Sequence, residues 1–416
     1  MNLVNIKGNK RYPEIIEPIF TSKAFRFIWI GNSLSTFGTA ITNIILPLLV
    51  YNLTRSPMEM GVIMTAYMLP EVLILPISGI IVDKFNRAKI MRLADITRFI
   101  SSMCVMFLGL TNHLSINILI IIMMIMGLMS GVFQPAFSAM RATVFLPTIR
   151  NSANALNQIT VELLNLLGPS VGGLIVSFMS APIGFGIDGV TYLISFICLL
   201  FLTNEGTVKK QSLQKTSFLK ECLSGIYIVQ RNTWLWVTIV FFSFVNIAIS
   251  GVVTVLIPWL IKVHEHLPAY TFGIIMSGSA IGSIGASFIF GMRKKWHFRG
   301  LIAYGGVALA GFSLILISFA HYSGLLILLM SLEGAGFMLF GLIWETSLQE
   351  LVSQDEFGRV ASIDMLGSFA LLPFGYLLTG WLANSIGGIT TIFILSSIVV
   401  IATLFIILIP EIRKFD

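Results

Sequence analysis

Gly79-Ile-Ile-Val-Asp83-Lys-Phe-Asn-Arg87-Ala-Lys89 is the stretch where an apolar run turns basic, and the chain repeats this arrangement further on. The second copy, Gly291-Met-Arg-Lys-Lys-Trp-His-Phe-Arg299, begins 212 residues after the first in a chain of 416 residues. The approach to each copy matches at the same offset, since Gly61-Val-Ile-Met64 corresponds to Gly273-Ile-Ile-Met276. A chain that resembles itself at half its length indicates two copies of one unit. In a membrane protein, such repeats are typical of transporters.

The composition of the chain is that of a membrane protein. Hydrophobic residues make up 56% of it and charged residues 11%, against roughly 25% charged in an average soluble domain. Apolar runs of about 20 residues, the length that crosses a bilayer, recur along the sequence. They predict an all-α polytopic membrane protein with twelve transmembrane helices in two pseudo-symmetric six-helix halves. The predicted spans are 24–52, 59–82, 90–110, 115–140, 152–179, 183–203, 233–262, 270–292, 300–320, 324–349, 358–384 and 387–409.

The Lys and Arg residues give the predicted orientation. Of the 26, 23 fall on one side of the predicted membrane, whereas only Arg55 and Lys262 fall on the other and Arg98 lies within a span. Because basic loops stay in the cytoplasm, we expect a multi-pass protein of the cell membrane with both termini cytoplasmic. The predicted parts are a cytoplasmic N-terminal arm (1–23), a first half (24–203), a central cytoplasmic linker (204–232), a second half (233–409) and a cytoplasmic tail (410–416).

Several functional classes lose support from the sequence. The net charge of +7 follows from this topology, so we expect no nucleic-acid partner. The three Cys and five His residues show no metal-ligand or disulfide spacing, and no nucleotide-binding or hydrolase motif occurs. We therefore expect no enzyme activity, no metal and no other cofactor. The expected partners are a small-molecule substrate, protons and the lipid bilayer, and one copy of the chain suffices for this architecture.

Span 5 carries a polar face on an apolar helix. Asn154, Gln158, Glu162, Asn165 and Pro169 fall within an arc of about 80° at 100° per residue. Glu162 lies roughly 15 Å from the start of the span, near the membrane midplane. Charge inside a bilayer is costly and marks functional sites, so Glu162 is a candidate for proton coupling or substrate contact. An interhelical hydrogen bond is the alternative.

Span 2 carries a second intramembrane carboxylate, Glu71, directly after Pro70. It precedes Asp83 by twelve residues and so lies about 18 Å from that end of the helix. A buried carboxylate that gains and loses a proton suits proton antiport. The alternative is a hydrogen bond to backbone groups freed by Pro70 or Pro76.

The loop after span 2 resembles the signature of the major facilitator superfamily, Gly-x-x-x-Asp-(Arg/Lys)-x-Gly-(Arg/Lys), with Asn86 where glycine is usual. Asn also tolerates the left-handed conformation of a tight turn. Further strings are similar to the macrolide-efflux-like and siderophore-exporter-like branch of proton-coupled antiporters in this superfamily. They are Arg92-Leu-Ala-Asp-Ile-Thr-Arg98, Phe133-Gln-Pro-Ala136, Ala153-Asn-Ala-Leu156 and Gly186-Ile-Asp-Gly189.

Span 5 also holds Gly168-Pro169-Ser-Val-Gly172-Gly173, which resembles the antiporter motif of exporters in this superfamily. Small residues let two helices approach closely, and proline frees a carbonyl and bends the span. We expect a packing seam between the halves, and a specific hinge role is the alternative. The expected partner is a small-residue stripe on span 8, formed by Gly278, Gly282 and Gly285.

The resemblance also implies a cytoplasmic gate and a central cavity. Asp95 and Arg98 can form a local pair, and the implied latch joins them to the loop after span 2 and the start of span 11. Its members are Asp83, Arg87, Asp95, Arg98, Arg359 and Asp364. Purely static ion pairing of these residues is the alternative. Asp188 also matches a family position, but near the outer end of span 6 a capping or loop-bonding role is expected for it rather than a role in transport.

Spans 1, 4, 7 and 10 line the cavity in the superfamily, and in this sequence they carry polar or Met-rich and aromatic stripes. With the polar face of span 5, the expected cavity residues are Asn32, Thr36, Thr39, Asn43, Met126, Phe133, Phe137, Arg141, Gln158, Asn165, Asn246, Glu333, Phe337, Phe340 and Trp344. Stripes of this kind also serve as ordinary core packing, and that alternative stays open.

The resemblance implies a secondary active transporter that exports a small to medium organic molecule from the cytoplasm by proton antiport with alternating access. The cargo is either drug-like, such as a macrolide, or a siderophore. An anionic siderophore requires fixed positive charge in the cavity, whereas a cationic or neutral amphiphile suits Glu71, Glu162 and Glu333. An uptake permease and a lipid flippase of the same superfamily are the alternatives.

Overall fold

The computed structural model describes residues 16–144, 149–202, 226–292 and 296–415. Within these ranges twelve helices are long and apolar enough to cross a membrane, and no strand occurs. We number them span 1 to span 12, and the twelve-helix fold predicted from the apolar runs is confirmed. Their bounds are Lys23–Thr54, Pro57–Gly79, Arg87–Leu110, Ile116–Arg141, Ser152–Phe178, Ala181–Leu200, Thr233–His264, Ala269–Gly291, Arg299–Ile317, Ser323–Leu351, Ile363–Ile386 and Gly388–Ile407.

The spans pack as two groups of six with matching neighbours. In the first half span 1 packs on spans 5 and 6, span 2 on span 4, and span 3 on spans 4 and 6. In the second half span 7 packs on spans 11 and 12, span 8 on span 10, and span 9 on spans 10 and 12. Each pair recurs with its span numbers raised by six. The internal repeat of the sequence is therefore a repeat of helix packing.

Side-chain caps fix where several spans begin. The Ser22 hydroxyl accepts a hydrogen bond from the Phe25 backbone N–H at 3.1 Å, and the Asn86 side chain accepts one from Lys89 N–H at 3.1 Å. Asn86 has an extended backbone with φ −64° rather than the left-handed turn that its place in the signature suggested. A side-chain oxygen at this position satisfies a donor that the first helical turn leaves unpaired. Asn86 thus serves as the cap of span 3.

Two spans depart from regular α-helix. Span 7 contains π-helical turns at Val252–Leu256 and Leu260–His264, on either side of Pro258. Span 11 was predicted as one run, but its helix is broken into Gln354–Phe369 and Leu372–Ile386. Proline lacks a backbone N–H and favours the first turn of a helix. Pro373, in the first turn of the second segment, accounts for the break.

Some predicted parts lie outside the described residues. Most of the predicted central linker falls in residues 203–225, and most of the N-terminal arm falls in residues 1–15. The tail contributes a short helix, Pro410–Arg413, followed by Phe415. The Phe415 ring stacks on Trp234 with a centroid distance of 4.1 Å. The tail therefore packs on span 7.

Candidate functional site

The two halves meet at one end of the bundle, which we call the closed end. The Thr65 hydroxyl of span 2 donates a hydrogen bond to the Pro373 carbonyl of span 11 at 2.9 Å. The Ser170 and Ser277 hydroxyls of spans 5 and 8 are hydrogen-bonded to each other, also at 2.9 Å. The Tyr51 phenol donates to a backbone carbonyl in the first π-helical turn of span 7. These bonds close this end by joining three pairs of spans across the halves.

At the opposite end, which we call the basic end, spans 1, 3 and 9 begin with Lys23, Arg87 and Arg299. The second segment of span 11, Leu372–Ile386, packs on span 2. The first segment, Gln354–Phe369, lies at the basic end and packs on spans 7 and 10 of its own half. Leu73 of span 2 is 64% exposed and Leu366 of span 11 is 56% exposed. The described hydrogen bonds between the halves all lie at or near the closed end, so the halves separate toward the basic end, and we call the space between them there the cleft.

A cavity of about 400 Å³ lies between the two halves, on the inner side of the closed end. Hydroxyl, amide and thioether groups from both halves line it together with tyrosine side chains. Among the lining residues are Thr39, Asn43, Met64, Tyr67, Met126, Asn165, Tyr192, Thr254, Met276 and Tyr376. No Asp, Glu, Lys or Arg is among the described residues that line it. The volume is within the range of small-molecule sites.

A buried charge cluster lies inside the first half beside this cavity. Arg98 of span 3 is 6% exposed, and its guanidinium lies 3.9 Å from Asp95. The same guanidinium donates a hydrogen bond to Ser130 of span 4 at 2.9 Å. It also lies over the Tyr192 ring at 5.5 Å from the centroid. One cation is therefore held by spans 3, 4 and 6.

Three carboxyl groups share the electrostatic environment of Arg98. Asp95 accepts a hydrogen bond from Ser195 of span 6 at 2.7 Å. Glu71 of span 2 and Asp188 of span 6 are both within electrostatic reach of the guanidinium. If all three were ionised, the cluster would carry two more negative charges than positive ones. Buried charges are paired or neutralised by protonation, so the composition of this cluster allows it to take up protons.

Asp188 lies in the interior of span 6 and is fully buried. It is seven residues from the start of the span at Ala181, which places it about 10 Å along the helix and away from the end where a capping role was expected. Its Oδ2 accepts a hydrogen bond from Thr42 of span 1 at 2.7 Å. A Cβ at Gly38 would overlap the Asp188 carboxyl. Glycine at that position therefore allows span 1 to approach the buried acid.

The two predicted proton-coupling residues lie in different environments. Both side chains are half-buried, but Glu71 is within electrostatic reach of Arg98, whereas Glu162 accepts a hydrogen bond from Gln158 on its own helix at 2.8 Å. Glu162 shares its helix face with Asn165, which lines the cavity. The polar face of span 5 thus continues from the cavity toward the basic end. Glu71 belongs to the buried cluster and Glu162 to the wall of the cleft.

Members of the predicted gate are dispersed. Asp95 and Arg98 lie in the buried cluster, and Arg87 donates a hydrogen bond to the Ala139 carbonyl of span 4 at 3.0 Å. Asp364 accepts a hydrogen bond from the Trp344 indole at 3.2 Å. The side chains of Asp83 and Arg359 are outside what the structure describes. No described hydrogen bond or ion pair joins the halves at this end, where the cleft is open.

Thr39, Asn43, Met126 and Asn165 are the predicted cavity residues that line the cavity. Other predicted cavity residues of the first half lie nearby. Arg98 lies over the Phe133 ring at 4.7 Å and Arg141 over the Phe137 ring at 5.1 Å. Asn32 and Thr36 lie nearer the basic end of span 1, and both are half-buried.

In the second half the predicted cavity residues bond mainly to neighbouring spans. Glu333 is buried and accepts a hydrogen bond from Ser279 of span 8 at 2.9 Å, and Asn246 donates to the Ser368 carbonyl at 3.3 Å. The aromatic residues of span 10 pack on span 7 and on one another; they are Phe337, Phe340 and Trp344.

The glycines of the span 5 motif contact both halves. Gly168 packs on Ala40 of span 1, and Gly172 packs on Ile41 of the same span. A Cβ at Gly173 would lie 2.8 Å from the Ala269 carbonyl at the start of span 8. The motif therefore lies where the halves meet.

The small-residue stripe predicted on span 8 does not pack on span 5. Gly278 and Gly282 pack on span 10 instead, and a Cβ at Gly285 would have no neighbour within 4 Å. The face of span 8 that meets span 5 carries Gly273 and Ser277. Gly278 is the residue after Ser277, and Gly282 lies one helical turn beyond Gly278. Both glycines therefore lie on a face of span 8 that is rotated away from span 5, and they face a different neighbour.

Sequence reasoning did not connect Asp188, Tyr67 and Tyr192 with Arg98. The Tyr67 hydroxyl is hydrogen-bonded to Ser130 at 2.8 Å, and the Tyr192 hydroxyl to Thr39 at 3.0 Å. These contacts join residues far apart in the chain, so helix periodicity does not reveal them. Gly186 and Gly189 on either side of Asp188 are the one available signal, because small residues within a span mark a close approach of helices.

The two six-helix halves, the cavity between them and the buried charges are the features of a membrane transporter of small molecules. The chain belongs to the Major Facilitator Superfamily, whose model matches residues 28–372.

The chain is similar in sequence to proteins named for efflux and for transport. Macrolide efflux protein A of Streptococcus pyogenes is 22% identical over 94% of this chain and 97% of its own length. The Staphyloferrin A transporter of Staphylococcus aureus is 22% identical over 89% of this chain and 90% of its own. Among solved structures, the nucleoside transporter NupG superposes with a TM-score of 0.75 at 12% identity, covering 94% of this chain and all of the other. That likeness shows the shared fold.

Proposed function

We propose that this transporter exports a small to medium organic molecule by exchanging it for protons. The observation that carries this proposal is the group of three carboxyls around the single guanidinium of Arg98, next to a cavity that is itself uncharged. A proton site beside the substrate cavity lets protonation and substrate occupancy affect each other through the same spans. Each rocking cycle of the two halves then moves substrate and protons in opposite directions.

Glu71 is the leading proton-coupling residue in this proposal, with Asp188 as its partner in the cluster. Both are within electrostatic reach of Arg98, but the guanidinium lies 3.9 Å from Asp95 and donates its hydrogen bond to Ser130. If Glu71 and Asp188 were ionised as well as Asp95, one guanidinium could not balance all three charges. Unbalanced charge is costly inside a membrane. Protons are the simplest neutralising ligands. Glu162 contacts substrate as it passes along the cleft.

The cavity lining supports a neutral, amphipathic cargo over an anionic one. Hydroxyl and amide groups such as those of Thr39, Asn43 and Thr254 supply hydrogen bonds, and Met64 and Met126 supply an adaptable apolar surface. An anionic siderophore would require a cation in the lining, and the cavity offers none among its described residues. Drug-like molecules fit this chemistry better.

Three observations support outward transport. One relative is named an efflux protein, span 5 carries the antiporter-like glycine motif, and 23 of 26 basic residues predict that the open cleft faces the cytoplasm. In this proposal both termini are cytoplasmic, and the conformation that is open at the basic end collects cargo from the cell interior. Closing of the basic end then brings the start of span 11 toward the last turn of the span 2 helix, where Asp83 lies.

Export from energised inverted membrane vesicles tests the proposal. A panel of fluorescent amphiphiles and a macrolide is screened for accumulation that requires a proton gradient. Glu71→Gln and Asp188→Asn keep the shape of each side chain but remove its charge, and each should lower gradient-driven accumulation at least tenfold. Glu411→Gln, an exposed acid on the tail helix, is the matched control. Normal gradient-driven export by both cluster variants would refute the proton assignment.

A further inference from the structure

A second, polar cavity of about 270 Å³ lies at the closed end. It is lined by the ends of spans 1 and 7, which occupy equivalent places in the two halves. Its residues are Tyr51, Asn52, Arg55, Lys262, Val263 and His266. Arg55 and Lys262 are the two basic residues on this side of the predicted membrane. The structure therefore brings both of them to one cavity, one from each half.

The backbone at this place follows the internal repeat. Arg55 and His266 adopt left-handed conformations, with φ of 57° and 53°, where spans 1 and 7 end. Residues other than glycine seldom adopt this backbone conformation. Each half thus turns sharply at the same point of the repeat. The cavity is a product of the repeat, but its chemistry belongs to this chain.

The cations of this cavity are not neutralised by the described protein. Neither Arg55 nor Lys262 forms a salt bridge or a side-chain hydrogen bond within the described residues. The nearby carboxylate of Glu265 is instead engaged with His321, whose Nδ1 lies 3.0 Å from it. Like charges brought together repel each other. An anion between them would convert that repulsion into attraction.

We propose that this cavity binds a phosphate-type oxyanion, which links the halves while the closed end stays closed. The guanidinium of Arg55 and the ammonium of Lys262 suit a phosphate group, and the Asn52 amide can donate a further hydrogen bond. The anion comes from free phosphate in solution or from the headgroup of an acidic phospholipid. This inference does not depend on the cargo or on proton coupling.

Tyr51 makes binding of the anion in this cavity depend on the conformation of the transporter. Tyr51 is a lining residue and also donates its hydroxyl across the halves to Val255. If the halves part at this end, that bond breaks and Arg55 moves away from Lys262. A ligand that binds one state only shifts the population toward that state. Bound phosphate therefore favours the conformation that is open at the basic end.

Thermal unfolding of the full-length protein in neutral detergent tests the site, followed by its tryptophan fluorescence. Inorganic phosphate is titrated against chloride at constant ionic strength. The wild-type protein should show a saturable rise in midpoint of roughly 2–4 °C. Arg55→Gln/Lys262→Gln should abolish the rise. Arg231→Gln, which removes an arginine that stacks on Tyr227 outside this cavity, should leave it intact.

Arg55→Lys keeps the charge and serves as a second variant, which should retain most of the rise even if the double variant unfolds early. Nanodiscs with and without phosphatidylglycerol identify the source. A rise produced by the acidic lipid and lost in Arg55→Gln/Lys262→Gln assigns the lipid headgroup, whereas a rise with phosphate alone assigns the free ion. The proposal fails if neither phosphate nor phosphatidylglycerol stabilises the wild-type protein. It also fails if the ligand that stabilises the wild-type protein stabilises the double variant by the same amount.

Discussion

Replacing Arg98 by glutamine removes the one cation of the buried cluster. The guanidinium lies 3.9 Å from Asp95 and donates a hydrogen bond to Ser130 at 2.9 Å. It also lies over the rings of Phe133 and Tyr192, at 4.7 and 5.5 Å from their centroids. Glutamine is shorter and uncharged, so it restores none of the charge-dependent contacts.

The magnitude follows from these contacts. A hydrogen bond made by a charged group contributes about 1.5–3 kcal/mol, and a cation–π contact about 0.5–2 kcal/mol. Protonation of the carboxyls left behind limits the total loss. We therefore expect Arg98→Gln to lower the free energy of unfolding by about 3–5 kcal/mol, the range found when one partner of a buried pair is removed.

A double-mutant cycle with Asp95→Asn separates the charge interaction from general packing loss. Unfolding of detergent-solubilised protein by dodecyl sulfate is followed for the wild type, both single variants and the double variant. Because the two groups interact directly, we expect a coupling free energy of about 1–3 kcal/mol. Additive effects of the two substitutions would show that Arg98 and Asp95 do not stabilise each other, which would contradict our account of the cluster.

Three further substitutions test the packing of the fold. Gly38→Ala places a methyl group against the buried acid of span 6 and should cost about 1–3 kcal/mol; unchanged stability in the same titration would contradict the close approach. Tyr51→Phe removes the hydrogen bond to Val255 and should destabilise the closed end by about 1 kcal/mol, which spin-label distances across that end should record as more molecules open there. Phe415→Ala removes the ring stacked on Trp234 and should cost about 0.5–1.5 kcal/mol beyond the buried area; an unchanged melting midpoint would show that the tail does not stabilise span 7.

The twelve spans were predictable because apolar length is a local property of the sequence. A helix that crosses a bilayer must satisfy its backbone hydrogen bonds internally, so each long apolar run has one outcome. The break in span 11 was not predicted, although Pro373 marks it, because many spans tolerate proline without breaking. Pro169, for example, lies inside the unbroken helix Arg150–Phe178.

The candidate site was predictable only in part. Helix periodicity placed Asn165 and Glu162 on one face, and Asn165 does line the cavity. Periodicity gives no information about partners on other spans, so the bond between Thr42 and Asp188 was not predicted. For the same reason Glu333 was expected in the cavity, whereas the structure bonds it to Ser279 of a neighbouring helix.

Proton release on substrate binding is the most direct test of the central claim that the cluster beside the cavity exchanges protons for cargo. Purified transporter in weakly buffered detergent solution is mixed with the compound that the vesicle screen identifies as transported, and a pH indicator reports free protons. We expect the wild-type protein to release protons on binding, and Glu71→Gln/Asp188→Asn to bind the compound with little or no release. Equal release by the wild-type protein and this double variant would place the proton site elsewhere and contradict the account.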